Sequence, residues 1–287
     1  MKRRDFIKTG SAVAALGALQ CTSSGSVPGK TANTKFAVNL EIWWKDLPII
    51  ERIRKTAELG FPAVEFWDFK SKDLSEISRV CRDHDLTITQ FTAWGFKPGM
   101  NHPENHDLFE AQIRQACQAA DILHCNMATV VAGDDIEGMT QQEMHAHVIT
   151  ALKRVAPIVE EQGLTLILEP MNIRVDHPGH CLYGSEPAID ICRAVNSSHV
   201  KINWDLYHMH ISEGDLCGHL REGIDWIGYV QVADHPGRNE PGTGEICYNR
   251  VFKELAELRY NGFVGLECWP REDELTAAKR IAKADIW

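Results

Sequence analysis

The sequence predicts a (β/α)8 TIM barrel over residues 35–287. A short apolar, β-branched run recurs eight times, at intervals of about 25–40 residues, and each is followed by a stretch of helical amphipathicity. Most runs are continuously apolar rather than alternating, as parallel strands covered by helices should be. No Gly-rich phosphate loop follows the first run, Val38-Asn39-Leu40-Glu41-Ile42-Trp43, which argues against a doubly wound open sheet.

In chain order the expected strands are Phe36–Trp43, Ala63–Asp68, Leu86–Ala93, Met127–Ala132, Leu164–Pro170, Val200–Leu206, Ile227–Val232 and Phe263–Cys268. Between the fourth and fifth, Met144, Val148, Leu152, Val155 and Val159 fall on one helical face. Val251, Leu255 and Leu258 do the same before the eighth. Gly60, Gly163 and Gly262 each stand between a helix and the next strand, where a left-handed cap is expected.

Residues 1–34 read differently, as an address and a linker. Lys2-Arg3-Arg4-Asp5-Phe6-Ile7-Lys8, followed by a weakly apolar stretch to Leu19, resembles a twin-arginine export signal. Cys21 after Ala18-Leu19-Gln20 loosely resembles a lipoprotein cleavage box, so a lipid anchor at Cys21 is one expectation. The location implied is periplasmic or membrane-anchored, and residues 22–34, rich in Ser, Thr and Gly, read as a linker. Eight further cysteines form no CxxC pair and read as small buried hydrophobes.

Composition bounds the function. The chain has 287 residues, 44% hydrophobic and 24% charged, which excludes a disordered or fibrous protein. Its net charge is −10, and residues 1–21 carry a net +3, leaving −13 on the remainder. So acidic a chain is a poor partner for nucleic acid and suits a small-molecule substrate.

In such a barrel the chemistry sits at the carboxyl ends of the strands. The fifth run ends Leu168-Glu169-Pro170, the sixth Asn203-Trp204-Asp205, the seventh Val230-Gln231-Val232 and the eighth Leu266-Glu267-Cys268. Charges converging on one mouth repel unless a cation holds them. Glu169, Asp205 and Glu267, completed by the amide oxygen of Gln231, make a hard oxygen site that favours Mg²⁺ or Mn²⁺ over Zn²⁺.

Three segments carry a resemblance. They are Leu168-Glu169-Pro170-Met171-Asn172-Ile173-Arg174, the long run from Val230-Gln231-Val232-Ala233-Asp234 through Gly244-Glu245-Ile246, and Tyr260-Asn261-Gly262-Phe263-Val264-Gly265-Leu266-Glu267. Together they resemble the hydroxypyruvate isomerase family of the xylose-isomerase-like barrels. The resemblance implies a metal held by Glu169, Asp205, Gln231 and Glu267, with Glu169 and Glu267 as the proton-transfer pair. It implies interconversion of hydroxypyruvate and tartronate semialdehyde, or a similar short hydroxy-carbonyl compound, through an enediolate. Related ketose 3-epimerases place His where Gln231 stands. The segment Trp94–His106 and the stretch between Arg174 and Pro178 depart from the family pattern, and both would lie over the site.

Around this centre, Arg238 suits a substrate carboxylate, His208 a substrate oxygen, and Arg174 is a further candidate. Asn172 is a candidate support for the metal shell. Trp43, Trp67 and Trp94 are candidates either for a pocket wall or for core packing. His177, His180, His208, His210 and His235 could in principle serve a second metal, but their spacing matches no zinc motif. Gly237, Gly242 and Gly244 mark a tight loop rather than a nucleotide site. The competing functions are a ketose 3-epimerase or keto-sugar lyase, an apurinic endonuclease, and a non-catalytic exported sugar binder. Oligomeric state is left open.

Overall fold

The computed structural model describes residues 27–287; the export-signal segment, Cys21 and most of the linker lie outside them. β1 (Lys35–Asn39) is followed by α1 (Ile49–Glu58), β2 (Ala63–Asp68) by α2 (Leu74–Asp83), β3 (Thr87–Trp94) by α3 (His106–Leu123), and β4 (Met127–Val131) by α4 (Gln141–Gln162). β5 (Thr165–Glu169) leads to α5 (Ser185–Val195), and β6 (Val200–Asp205) to two short helices, α6 (Leu206–Ser212) and α7 (Leu216–Gly223). β7 (Ile227–Gln231) leads to α8 (Tyr248–Glu257), and β8 (Phe263–Leu266) to α9 (Glu274–Ala284). The strands pair in parallel in sequence order and β8 closes on β1, with Val38 opposite Leu266.

The helical faces pack as their spacing requires. Met144, Val148, Leu152, Val155 and Val159 of α4 are all buried. That helix opens with a capping box between Thr140 and Glu143 and closes on left-handed Gly163. Burial of each such Val or Leu stabilises the fold by about 1.5–3 kcal/mol. Phe36 of β1 meets Phe252 of α8 edge-on, 5.3 Å between centroids.

Three local expectations need correction. β1 ends at Asn39, not Trp43: the Asn39 side chain accepts the Glu41 backbone N–H at 3.0 Å and its carbonyl accepts from Trp43 at 3.1 Å, so the chain turns. Most other strands also stop one or two residues early, and Glu267 therefore lies just past β8. Gly60 and Gly163 have φ of +82° and +67°, but Gly262 is not left-handed; after α8 that conformation falls to Arg259, at +60°. At Gly262 a Cβ would instead meet the Tyr260 hydroxyl at 2.4 Å. The third concerns the cysteines. All those described are free thiols, mostly buried as expected, but Cys247 is exposed and Cys217 half-buried.

Candidate active site

Strand register sets the depth of the polar residues. Asp205 is opposite Gln231 in the β6–β7 ladder, and Gln231 is opposite Gly265, two residues before Glu267. Glu169 is the last residue of β5. The barrel thereby gathers Glu169, Asp205, Glu267 and, from the first turn of α6, His208; each offers a ligand-type atom within 4.8 Å of the others. All are buried, and Gln231 lines the same cavity. Among the described residues no second group of three or more such side chains forms.

Each carboxylate is held differently. Asp205 caps α6 through Oδ1, which accepts the Tyr207 backbone N–H at 2.8 Å; its buried Oδ2 has no hydrogen-bond partner. Glu267 accepts from Trp67 Nε1 at 2.9 Å on one oxygen and from Arg238 Nη2 at 2.5 Å on the other. Glu169 stands nearest to His208, whose Nε2 is 3.7 Å from its Oε1 and 3.5 Å from Asp205 Oδ2.

The tautomer of His208 follows from its neighbour. The Asn172 side-chain oxygen accepts the backbone N–H groups of Val175 and Asp176, at 3.0 and 3.1 Å, which turns its NH₂ toward His208 Nδ1, 2.7 Å away. The Asn172 backbone N–H points at the same nitrogen, 3.3 Å away. Facing two donors, Nδ1 must be unprotonated, so the ring proton sits on Nε2, the nitrogen aimed at the carboxylates. His208 is thus a donor into the site rather than a fourth metal ligand. Burial, then Arg238, holds it well below the usual histidine range, so it stays neutral.

Arg238 is delivered by a knotted loop. The Asp234 carboxylate accepts four backbone N–H groups, from His235, Gly242, Thr243 and Ile246, at 2.9–3.1 Å. At Gly244 a Cβ would fall 2.2 Å from the His235 carbonyl, and Gly237 and Gly242 have φ of +104° and +94°. These contacts account for the glycines and for Asp234, and they hold Arg238 in a left-handed conformation, φ +52°. Its guanidinium lies 5.2 Å from the Tyr207 ring centroid.

The electrostatics suit a cation. Three carboxylates face one arginine. Burial first, and then Glu267, pushes Asp205 up to about 8; the same two causes hold Glu169 well above the carboxylate range. The unpartnered Asp205 oxygen and the hard oxygen donors fit a divalent ion, and the cluster is able to bind one.

The remaining candidates separate. Trp67 stands at the cavity, whereas Trp43 and Trp94 are buried in the core. Arg174 is exposed on the loop after β5 and is not among the cavity-lining residues. The cavity, about 560 Å³, has a second wall from β2, β3, the following loop with Phe96 and the first turn of α3 with Leu108, residues which the sequence did not single out. Phe96 stacks on His177 at 4.8 Å and so joins the loops after β3 and β5.

Residues 53–285 match the sequence family described as the xylose isomerase-like TIM barrel. The chain belongs to that family. It is 30% identical over 243 residues to the hydroxypyruvate isomerase of Escherichia coli (strain K12), covering 83% of this chain and 94% of that one. A 2-oxo-tetronate isomerase from Cupriavidus necator is also 30% identical over 243 residues, 83% and 93% of the two chains. Among solved structures, one from Brucella melitensis described as an AP endonuclease, family 2, superposes with a TM-score of 0.82 at 28% identity, covering 87% of this chain and 98% of that one. This xylose isomerase-like barrel is an isomerase.

Proposed function

We propose that the protein is a divalent-metal-dependent isomerase of a short hydroxy-keto acid, hydroxypyruvate to tartronate semialdehyde or the equivalent step on a 2-oxo-tetronate. The observation that carries this is the gathering of Glu169, Asp205, Glu267 and a fixed imidazole N–H within 4.8 Å at the barrel mouth. Glu169, Asp205, Gln231 and Glu267 would hold Mg²⁺ or Mn²⁺; the ion, when bound, polarises the substrate carbonyl and stabilises developing negative charge.

The chain's own groups do the rest. A glutamate takes the proton from the hydroxyl-bearing carbon, giving an enediolate; the hydroxyl proton passes to the former carbonyl oxygen, and a proton is returned to the neighbouring carbon. Glu169 is the freer carboxylate for taking the proton, because donors already occupy both oxygens of Glu267 and none occupies Glu169. His208 Nε2–H donates to the substrate oxygen whose charge grows, and Arg238 faces the substrate carboxylate. The names of the Escherichia coli and Cupriavidus necator relatives support the reaction class.

The cavity favours a second reading. A three-carbon acid displaces only ~100 Å³, the volume of three or four waters at ~30 Å³ each. The cavity is about 560 Å³, with apolar surface from Trp67, Phe96 and Leu108, so a longer keto-sugar, handled as by an epimerase or lyase, also fits. An endonuclease fits poorly: the cluster has one histidine and three carboxylates, and residues outside the first 21 carry a net −13.

The test is a panel of hydroxypyruvate, 2-oxo-tetronate, ketoses and keto-glycosides with EDTA-stripped and Mn²⁺-restored protein. Product formation and solvent-deuterium incorporation are both read. Activity undiminished in verified metal-free protein sinks the metal reading, and no exchange with any substrate sinks the enediolate. We also propose twin-arginine export; replacing Arg3 and Arg4 by Lys should retain the precursor in the cytoplasm, and unimpaired export would refute it.

A further inference from the structure

A carboxyl group outside the cluster lies beneath it. Glu65, on β2, is fully buried inside the barrel. Its Oε1 accepts from Gln231 Nε2 at 2.9 Å and from Asn39 Nδ2 at 3.0 Å. The Asn39 amide is itself fixed, since its oxygen accepts the Glu41 backbone N–H, which turns its NH₂ to Glu65. On the other side of Gln231, Asn203 Nδ2 donates to the Gln231 oxygen at 2.5 Å. Space for the carboxylate comes from Gly265 on β8, where a Cβ would stand 2.3 Å from Glu65 Oε2 and 2.9 Å from Gln231 Cγ.

Gln231 has a property the three acids lack: its terminal group has a right and a wrong end. The oxygen binds a cation, and the NH₂ repels one. A 180° flip exchanges them at almost no change in shape. An acceptor on one side and a donor on the other remove that freedom. We propose that Glu65 is a positioning residue that locks the Gln231 amide with its oxygen available to the divalent ion. This rests on the metal reading proposed above. Glu65 touches neither ion nor substrate and acts through Gln231; partners of this kind, one bond removed from a ligand, typically alter metal affinity 10- to 100-fold.

The test is Mn²⁺ binding to metal-free protein by calorimetry, with a melting curve of each metal-free variant. Glu65→Gln is made in an Asn39→Ala background, because the fixed Asn39 amide would otherwise hold the new side-chain oxygen facing Gln231; there it keeps the shape but offers both an acceptor and a donor, so it no longer selects one Gln231 orientation. It should weaken Mn²⁺ binding about tenfold or more. A carboxylate has no wrong end, so in a Gln231→Glu background the same Glu65→Gln change should cost nothing or strengthen binding. A purely structural role for Glu65 would give the same loss in both backgrounds. Gly265→Ala keeps the carboxylate but crowds it and should weaken Mn²⁺ binding in the Gln231 background, which tests the lock if Glu65→Gln folds poorly. Tight Mn²⁺ binding by the parent, with Glu65→Gln within twofold of the Asn39→Ala protein that carries it, or an equal loss with Gln231 and with Glu at that position, overturns the inference alone. Absence of Mn²⁺ binding by the parent overturns it together with the metal reading.

Discussion

The two halves of the barrel mouth are built on different rules. β5, β6 and β7 end in Glu169, Asp205 and Gln231, Glu267 follows β8, and the ladders on this side slip once, between Ile202 and Asn203 in β6–β7, below three pairs that run in register up to Asp205 and Gln231. Across the mouth, the β2–β3 and β3–β4 ladders slip three times between them. That side contributes Trp67, Phe96 and Leu108, with Gln90 and Thr129 deeper in. Irregular ladders at a barrel rim re-aim side chains, and regular ones hold groups at fixed depth. Chemistry needs the second property, since a misplacement of about 1 Å costs roughly 10²-fold in rate. A wall that only shapes a cavity tolerates the first. We propose that the proton chemistry rests on the first half and that the second, apart from the Trp67 contact to Glu267, sets the length of substrate the cavity takes.

The sharpest way to break this division is to disable the half that carries the carboxylates. Glu169→Gln and Glu267→Gln should each lower turnover at least ~10²-fold, the low end for general acid–base catalysis, with the fold intact. Glu169→Gln should also abolish solvent-deuterium incorporation, while Glu267→Gln should retain part of it. Turnover within a few-fold of the parent in either variant makes that carboxylate a metal ligand only.

The next largest effects concern the groups around the carboxylates. Asn172→Ala removes one donor that fixes His208 Nδ1 and should lower kcat about tenfold at little cost in KM; an unchanged kcat would show that the tautomer needs no such support. Arg238→Lys keeps the charge but loses the planar fork, so KM for an acidic substrate should rise about tenfold. An equal rise for a neutral ketose would remove the carboxylate from the argument.

The other half should respond in selectivity. Leu108→Ala and Phe96→Ala should shift the ratio of kcat/KM between three-carbon and longer substrates by about 10-fold, the scale for small changes in apolar contact. A parallel fall for every substrate would mean that this wall also positions the chemistry.

The smallest effect is on stability. His180, behind Phe96, is fully buried with both ring nitrogens unpartnered, and burial, then His177, lowers it to about 4. The folded value lies below the unfolded one. As pH falls from about 6.5, the unfolded chain therefore takes up a proton that the folded chain does not, and stability drops by about 1.4 kcal/mol per pH unit toward 4. His180→Phe should flatten the dependence of the melting temperature on pH between 6.5 and 5. A slope equal to the parent's would assign the acid sensitivity to other groups.

The sequence by itself determined the architecture and one half of the site. Eight apolar runs with helices between them have few other ways to bury both faces of a parallel sheet, and a charged side chain at the end of such a run has no structural reason to recur on successive strands. Hence the convergence of Glu169, Asp205 and Glu267, with the amide of Gln231 beside them, was legible, as was the glycine loop around Arg238. What the sequence could not decide lay in contacts between distant residues. Trp67 and Trp43 are alike as letters, yet one donates to Glu267 and the other fills the core, because the β2–β3 ladder slips around Trp67 whereas the turn after Asn39 folds Trp43 inward. Arg174 follows Glu169 by five residues and His208 follows Asp205 by three, but the loop after β5 carries Arg174 to solvent while the first turn of α6 holds His208 in the site. Glu65 reads as a charge inside an apolar strand; only the closing of β8 on β1, with a glycine facing it, makes it the partner of Gln231. Local pattern fixes which elements form and which face is buried, since both depend on near neighbours in the chain. The orientation of an amide, the tautomer of His208 and the wall of the cavity depend on groups tens to hundreds of residues apart, and only the closed barrel brings those together.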